Sequence, residues 1–230
     1  MKFNLKIALV TVLALLAGCT SHPQQAVNLP DDLSTMKKTK IGVAMTPLPK
    51  VDTSFDGAGC LLCMATASLA NSALTDYVRK LPTENLADLK SRIADLLKNK
   101  GFDVVLIDSP INIATLQKSK SKGPNVSEVD YSGLKNQYQV DKLLIIDINA
   151  LGVLRTYSGY IPTSDPKARL KGVGYIIDLS NNTYDWYLPL DILKNAEGSW
   201  DEAPKFPGLT NAYFQAIEIG QDSFSKPFSE

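Results

Sequence analysis

Val140-Asp141-Lys142-Leu143-Leu144-Ile145-Ile146-Asp147-Ile148 decides how this chain folds. No polar residue interrupts the run from Leu143 to Ile146, whereas a strand half open to water would alternate. Such a run predicts a central strand covered on both faces. Val153 and Leu154 continue toward Tyr157, so the strand is expected to extend or to bend at Gly152.

Downstream, after a loop from Ser158 to Ala168 with Pro162 and Pro166, Val173, Tyr175, Ile177 and Leu179 alternate as a strand. Ser180-Asn181-Asn182-Thr183 is a turn, and Tyr184 to Leu190 returns as the second arm of a hairpin. Pro207 and Gly208 open a last helix with Leu209, Ala212, Tyr213, Ala216, Ile217, Gly220 and Phe224 on its buried side.

Upstream, a short helix is expected over Tyr131–Gln139 and a polar surface loop over residues 117–129. Phe102 to Ile107 reads as a buried strand. The helix before it runs from the cap at Pro82-Thr83-Glu84 to the stop at Gly101, with Leu86, Leu89, Ile93, Leu96 and Leu97 as its stripe. An earlier helix is expected from Cys60 to about Leu81, with Leu62, Ala65, Leu69, Ala73, Tyr77 and Leu81 inward. Ile41 to Met45 is the first strand, stopped by Pro47 and Pro49. Two helices separate it from the strand at 102–107, long enough to bring those strands parallel. The expected fold is a mixed α/β (α+β) domain of two or three layers. Its mixed sheet has about five strands, a parallel pair plus an antiparallel meander, with four helices.

The amino terminus is of a different kind. Met1-Lys2-Phe3-Asn4-Leu5-Lys6 is cationic, Ile7 to Ala17 is apolar, and Gly18 precedes Cys19. The pattern is that of a signal peptide, with an apolar stretch too short to span a bilayer permanently. Leu16-Ala17-Gly18-Cys19 resembles the lipobox of bacterial lipoproteins. The resemblance implies cleavage after residue 18 and acyl groups such as palmitate on Cys19, so the membrane is the first expected partner. Thr20, where an aspartate favours inner-membrane retention in Gram-negative lipoproteins, implies the periplasmic face of the outer membrane. The expected organisation is a signal peptide over 1–18, a flexible tether over 19–38 and a single mixed α/β domain over 39–230.

Removal of residues 1–18 takes Lys2 and Lys6 from a balanced 24 basic and 24 acidic residues, leaving a charge of about −2. That is no electrostatic footprint for nucleic acid. The one histidine, His22, lies in the tether, which excludes Ser-His-Asp or Cys-His catalysis and a histidine-held zinc in the folded body. Carboxylate-only or lysine-based chemistry stays open. No metal site and no cofactor is expected.

The chain also resembles the group of lipoproteins with the fold of the amino-terminal domain of the Tol translocation protein, which includes the curli-secretion channel subunit and activators of peptidoglycan synthases. The likeness is carried by Val140-Asp141-Lys142-Leu143-Leu144-Ile145-Ile146 and by Ile177-Asp178-Leu179-Ser180-Asn181-Asn182-Thr183-Tyr184-Asp185-Trp186. It implies non-catalytic work as a subunit, scaffold or activator in an envelope complex, with envelope proteins as partners and a homo-oligomer among the options. The chain lacks the alternating pair of ten-residue strands by which the curli channel crosses its membrane.

Gly57-Ala58-Gly59-Cys60-Leu61-Leu62-Cys63-Met64-Ala65-Thr66-Ala67 is the most unusual stretch, because no charge occurs from Gly57 through Thr75. Cys60 and Cys63 admit three readings. They are small hydrophobes in a buried helix start, a structural disulfide in an oxidising compartment, or a Cys-x-x-Cys redox pair activated by a helix N-terminus. Asp147, Asp178 and Asp185 are expected at solvated strand ends. Tyr157, Tyr160 and Ile161-Pro162 either form an exposed contact patch or cover the core edge. The expectation is a non-enzymatic outer-membrane lipoprotein, accessory to an envelope complex. A periplasmic thiol-disulfide protein using Cys60 and Cys63 is the alternative.

Overall fold

A computed structural model describes residues 23–30, 33–34, 36–202 and 205–229. The strands are β1 (Lys40–Met45), β2 (Asp52–Ser54), β3 (Asp103–Leu106), β4 (Lys142–Leu154), β5 (Tyr157–Ser158), β6 (Ile161–Pro162), β7 (Lys167–Asp178) and β8 (Thr183–Asn195). The helices are α1 (Leu61–Ala70), α2 (Ser72–Val78), α3 (Glu84–Ala87), α4 (Leu89–Asn99), α5 (Gly133–Tyr138) and α6 (Pro207–Ser225). The main sheet runs β3-β1-β4-β7-β8, and β2 pairs with β4 further along the edge that β1 occupies. β1 is parallel to both β3 and β4, while β4, β7 and β8 form an antiparallel meander. The mixed sheet is therefore the expected one, with β2 and the small β5–β6 hairpin added.

β4 is the centre, and Leu143, Leu144, Ile145 and Ile146 are each 0% exposed. Their side chains alternate between two cores. Leu144, Ile146 and Ile148 join α4 and α6, through Leu89, Ile93, Leu97, Tyr213, Ile217 and Phe224. Leu143 and Ile145 meet Ile107, Tyr131, Leu134 and Tyr175 on the other face. Burial on both sides is why the run needs no polar alternation.

β4 does extend past Asp147. A register shift between Ile148 and Ala150 absorbs one residue, and Gly152 then takes φ +132°. There the backbone of β2 approaches so closely that a Cβ on Gly152 would strike the carbonyl oxygen of Asp52. Only glycine combines that backbone angle with that approach.

The strand expected to be buried over Phe102–Ile107 is instead the sheet's edge, with Asp103 and Leu106 exposed, and the helix expected from Pro82 to Gly101 is interrupted at Asp88. Two further expectations are corrected. The helix expected over Cys60–Leu81 breaks at Asn71, and its buried residues are Cys63 and Ala67, then Leu74, Thr75 and Val78. Leu62 and Leu69, expected inside, are 69% and 77% exposed. From Cys60 to Ala70 apolar residues lie on every side of the helix and only Thr66 and Ser68 are polar, so periodicity has little to select between and tertiary attachment chose the face. The second concerns the expected tether. From residue 23 its described residues lie on the domain: Val27 exchanges two backbone hydrogen bonds with Tyr187, each 2.9 Å, and Leu29 and Leu33 pack on the main core. The apolar residues spaced through that polar stretch find pockets that its composition does not reveal.

Candidate functional site

Beyond Leu154 the chain builds a small annex at one end of the sheet. Residues 54–59 run beside 155–159, tied by Arg155 N–H to Ser54 O at 3.0 Å and Tyr157 N–H to Asp56 O at 2.8 Å. Gly57 takes φ +92° where a side chain would overlap the Tyr157 carbonyl. Phe55 and Tyr157 meet edge to face, with ring centroids 5.8 Å apart. On this pair sit Ala58, Cys63 and Ala67, a core separate from the two that flank the sheet.

Cys60 caps α1. Its backbone is extended and its sulfur accepts the Cys63 N–H at 2.9 Å, a satisfied first turn without the usual hydroxyl or carboxylate. The Cys60 and Cys63 sulfurs stand at bonding separation, with Cα atoms 4.9 Å apart. Cys60 is exposed and Cys63 is buried. The Cys60 sulfur also lies 3.8 Å from the Tyr160 hydroxyl, which sets the β5–β6 hairpin beside the start of α1.

Asn71 fixes the other end of α1. Only 3% exposed, its amide nitrogen donates to Ala67 O and to the Tyr157 hydroxyl, both at 2.7 Å, and its oxygen accepts from Arg155 Nη1 at 2.8 Å. Arg155 in turn lies over the Trp200 ring, 4.9 Å from its centroid. Asn71→Ala takes the partner from the Tyr157 hydroxyl and from Arg155 Nη1, while Ala67 O keeps the backbone N–H of residue 71, and the expected loss is about 2 kcal/mol of unfolding free energy. Urea denaturation measures it, and an unchanged midpoint would show that water replaces the amide at no cost.

What this scaffold holds out is apolar. Leu61 is 92% exposed, Leu62 69%, Leu69 77%, Ile161 68% and Tyr160 55%. The pair Tyr157 and Tyr160 is thus divided, since Tyr157 is core and Tyr160 is surface. Large apolar side chains exposed singly are ordinary, but a contiguous group marks a contact surface.

The carboxylates noted in the sequence take other roles. Asp178 and Asp185 converge on the buried Lys142 ammonium at 2.5 and 2.8 Å, and Asp147 accepts from the Thr46 hydroxyl at 2.7 Å. Burial acts to raise the Asp178 carboxyl, but Lys142 and Ser180 outweigh it and hold it below the usual carboxylate range. Asp178 and Asp185 are therefore the two arms of an ion cluster, not the solvated strand ends expected. Among the described residues no group of three His, Cys, Asp or Glu is placed to hold a metal ion. No described helix is long and apolar enough to cross a membrane. Cys19 and His22 lie outside the described residues.

Sequence reasoning missed a tyrosine cluster. The Tyr131 and Tyr175 hydroxyls meet at 2.7 Å inside the second core, and Tyr184 and Tyr187 pack beside them. Tyr184 and Tyr187 floor a groove of about 860 Å³ whose rim carries Lys118, Lys122 and Glu128. The spacing of Tyr184 and Tyr187 on a return strand was the available signal, though the bulge between Ile176 and Ile177 puts both on one face.

No family model matches the chain, and no curated protein matches it in sequence. Among solved structures it is similar to a protein from Xanthomonas campestris, with 9% identity over 90% of this chain and 92% of that one and a TM-score of 0.37. It is similar to the PelC dodecamer from Paraburkholderia phytofirmans at 10% identity, covering 86% and 95%, with a TM-score of 0.32. A lipoprotein from Neisseria meningitidis shares 13% identity over 80% and 96%, with a TM-score of 0.30.

Proposed function

We propose that this protein is a lipid-anchored, non-enzymatic component of a bacterial cell envelope, an accessory or assembly subunit that works by being held in place. The observation that carries the reading is α1, an exposed and uncharged helix fixed at both ends by Cys60 and Asn71. A rigid apolar surface of this kind serves attachment, because its burial against something else is the free energy it has to offer. Acyl groups on Cys19 supply the membrane link, and Thr20 directs the chain to the periplasmic face of the outer membrane. Envelope proteins, a second copy among them, are its proposed partners.

In-cell cross-linking of the full-length protein, followed by identification of its neighbours, tests the reading. The expected result is capture of envelope proteins from the outer-membrane fraction. Recovery of the protein from the cytosol with its leader intact would end it.

The thiol-disulfide alternative has one observation in its favour: Cys60 is exposed at a helix N-cap while Cys63 is buried beneath it. We read the pair instead as a structural bond that pins the first turn of α1. Replacing both cysteines by serine is expected to leave envelope function largely intact. Complete loss of function with the fold retained would favour redox chemistry.

A further inference from the structure

A helix that is apolar around its whole circumference is ordinarily buried, in a large core or in a membrane. α1, whose only polar side chains are the hydroxyls of Thr66 and Ser68, comes close to that type and is not buried by this chain. At about 100° per residue, Met64, Leu61, Ala65, Leu69 and Leu62 fan across roughly 160° of its surface, with the small hydroxyl of Ser68 the one polar group among them. Cys63 and Ala67, which attach it, occupy the opposite side. Ile161 and Tyr160 widen the arc from the neighbouring hairpin. A groove or partner helix covers a stripe of about 100°, so a single protein surface would leave part of this arc wet. From Gly57 through Thr75 there is also no charged side chain by which a protein partner could be selected or set in register. The medium that matches an uncharged, wide and apolar surface is an acyl-chain layer.

The second observation is how soon after Cys19 the chain is held to the domain, by Gln24 on Asn125 and Val27 on Tyr187. Pro23 is four residues beyond Cys19, and four extended residues span at most about 14 Å. Acylation of Cys19, on which this inference rests together with the functional reading, keeps the domain within that distance of a bilayer. The local concentration of acyl chains is then far above that of any soluble partner.

We infer that α1 and Ile161 insert into the same bilayer leaflet that holds the lipid of Cys19, giving the domain a second point of attachment. Ten residues of helix are about 15 Å long, half the thickness of a hydrocarbon core, so α1 lies within one leaflet and does not cross. Basic interfacial helices draw on anionic headgroups. This one has no cation to do so, and its insertion is indifferent to headgroup charge and to salt.

The fold then sets an orientation. Gln24 bonds the Asn125 side chain, and the Asn125 carbonyl accepts from Tyr184, across the sheet from Leu143. α1 sits past Leu154 at the opposite end of β4, about 36 Å away at strand rise. Both attachments reach one bilayer only when the strands lie along its surface.

The test uses the lipidated full chain carrying Leu69→Trp, reconstituted into phosphatidylcholine vesicles, with the unsubstituted protein as reference for Trp186 and Trp200. Residue 69 is a surface position, so folding is not at stake. The expected result is that the added emission is blue-shifted and loses most of its intensity when the acyl chains are brominated, equally at low and high salt. Emission typical of water with no quenching overturns the inference. A blue shift without quenching, accompanied by doubling of the mass in detergent, assigns α1 to a second copy and overturns it too. Mass spectrometry of the same sample separates the two readings. Acylated Cys19 with an unquenched tryptophan sinks only the insertion, whereas Cys19 without acyl groups sinks the functional reading and the insertion with it.

Discussion

Lys142→Met is expected to lower the unfolding free energy by about 3 kcal/mol at neutral pH, the low end of the range for removing one partner from a buried ion pair. The Lys142 side chain is 9% exposed, and those of Asp178 and Asp185 are 22% and 25% exposed. Without the ammonium, two carboxylates face each other at the end of β4 with little water to separate them. The loss depends on pH with a defined sign. Burial works to raise the Asp178 pKa, and the Lys142 and Ser180 hydrogen bonds reverse this, so the folded value is below the unfolded one. Its contribution is complete above about pH 4 and disappears as pH falls through the folded value. Burial works to lower the Lys142 pKa, but its two carboxylate partners raise it on balance. That contribution is complete below about pH 10 and is lost as pH rises through the folded value. The difference between variant and parent should therefore be widest between those limits and shrink in acid. Urea midpoints at neutral and acid pH measure it. A difference within about 0.5 kcal/mol at neutral pH, the scatter of ordinary surface substitutions, would show that the cluster contributes no net stability.

Gly152→Ala is expected to cost about as much, roughly 3 kcal/mol, for a different reason. The methyl group meets the Asp52 carbonyl, and φ +132° is a region that L-residues occupy only under strain. The chain can relieve this only by separating β2 from β4, which removes the three paired rows Asp52–Gly152, Thr53–Val153 and Ser54–Leu154. Loosening should spread to residues 54–59 and hence to the platform under α1, while the sheet core around Leu144 stays intact. Limited proteolysis is expected to gain cuts in the 50–60 segment before global unfolding. Gly59→Ala is the control, because a Cβ there meets nothing within 4 Å. If the two variants melt alike, the close approach of β2 to β4 is not a constraint on the fold.

The contrast between β4 and α1 shows where sequence reading holds. For β4, α4 and α6, polar and apolar residues are distributed so that only one placement buries the apolar ones. Leu86 in α3 and Leu89, Ile93 and Leu97 in α4 are buried, as their spacing requires, with Leu96 only partly so, and Leu209, Ala212, Tyr213, Ala216, Ile217 and Phe224 are buried in α6. The turn at Ser180–Thr183 was legible because Asn182 takes a left-handed conformation that asparagine tolerates. In α1 no polar face exists to oppose an apolar one, so the same rule returned a stripe with Leu62 and Leu69 on the wrong side.

By itself the sequence determined five of the six strands of the main sheet, the parallel entry of β1 and β3, the antiparallel meander and the helices that cover it. These follow from local periodicity, capping and connection length, each read within a few residues of chain. Only the tertiary structure decided which face of α1 meets the annex, that Lys142 gathers Asp178 and Asp185, and that Val27, Leu29 and Leu33 lie on the domain. Each of these depends on groups distant in the chain, such as Asn71 with Arg155 and Tyr157, or Val27 with Tyr187. The free energy of such contacts resides in neighbours that a linear pattern does not contain.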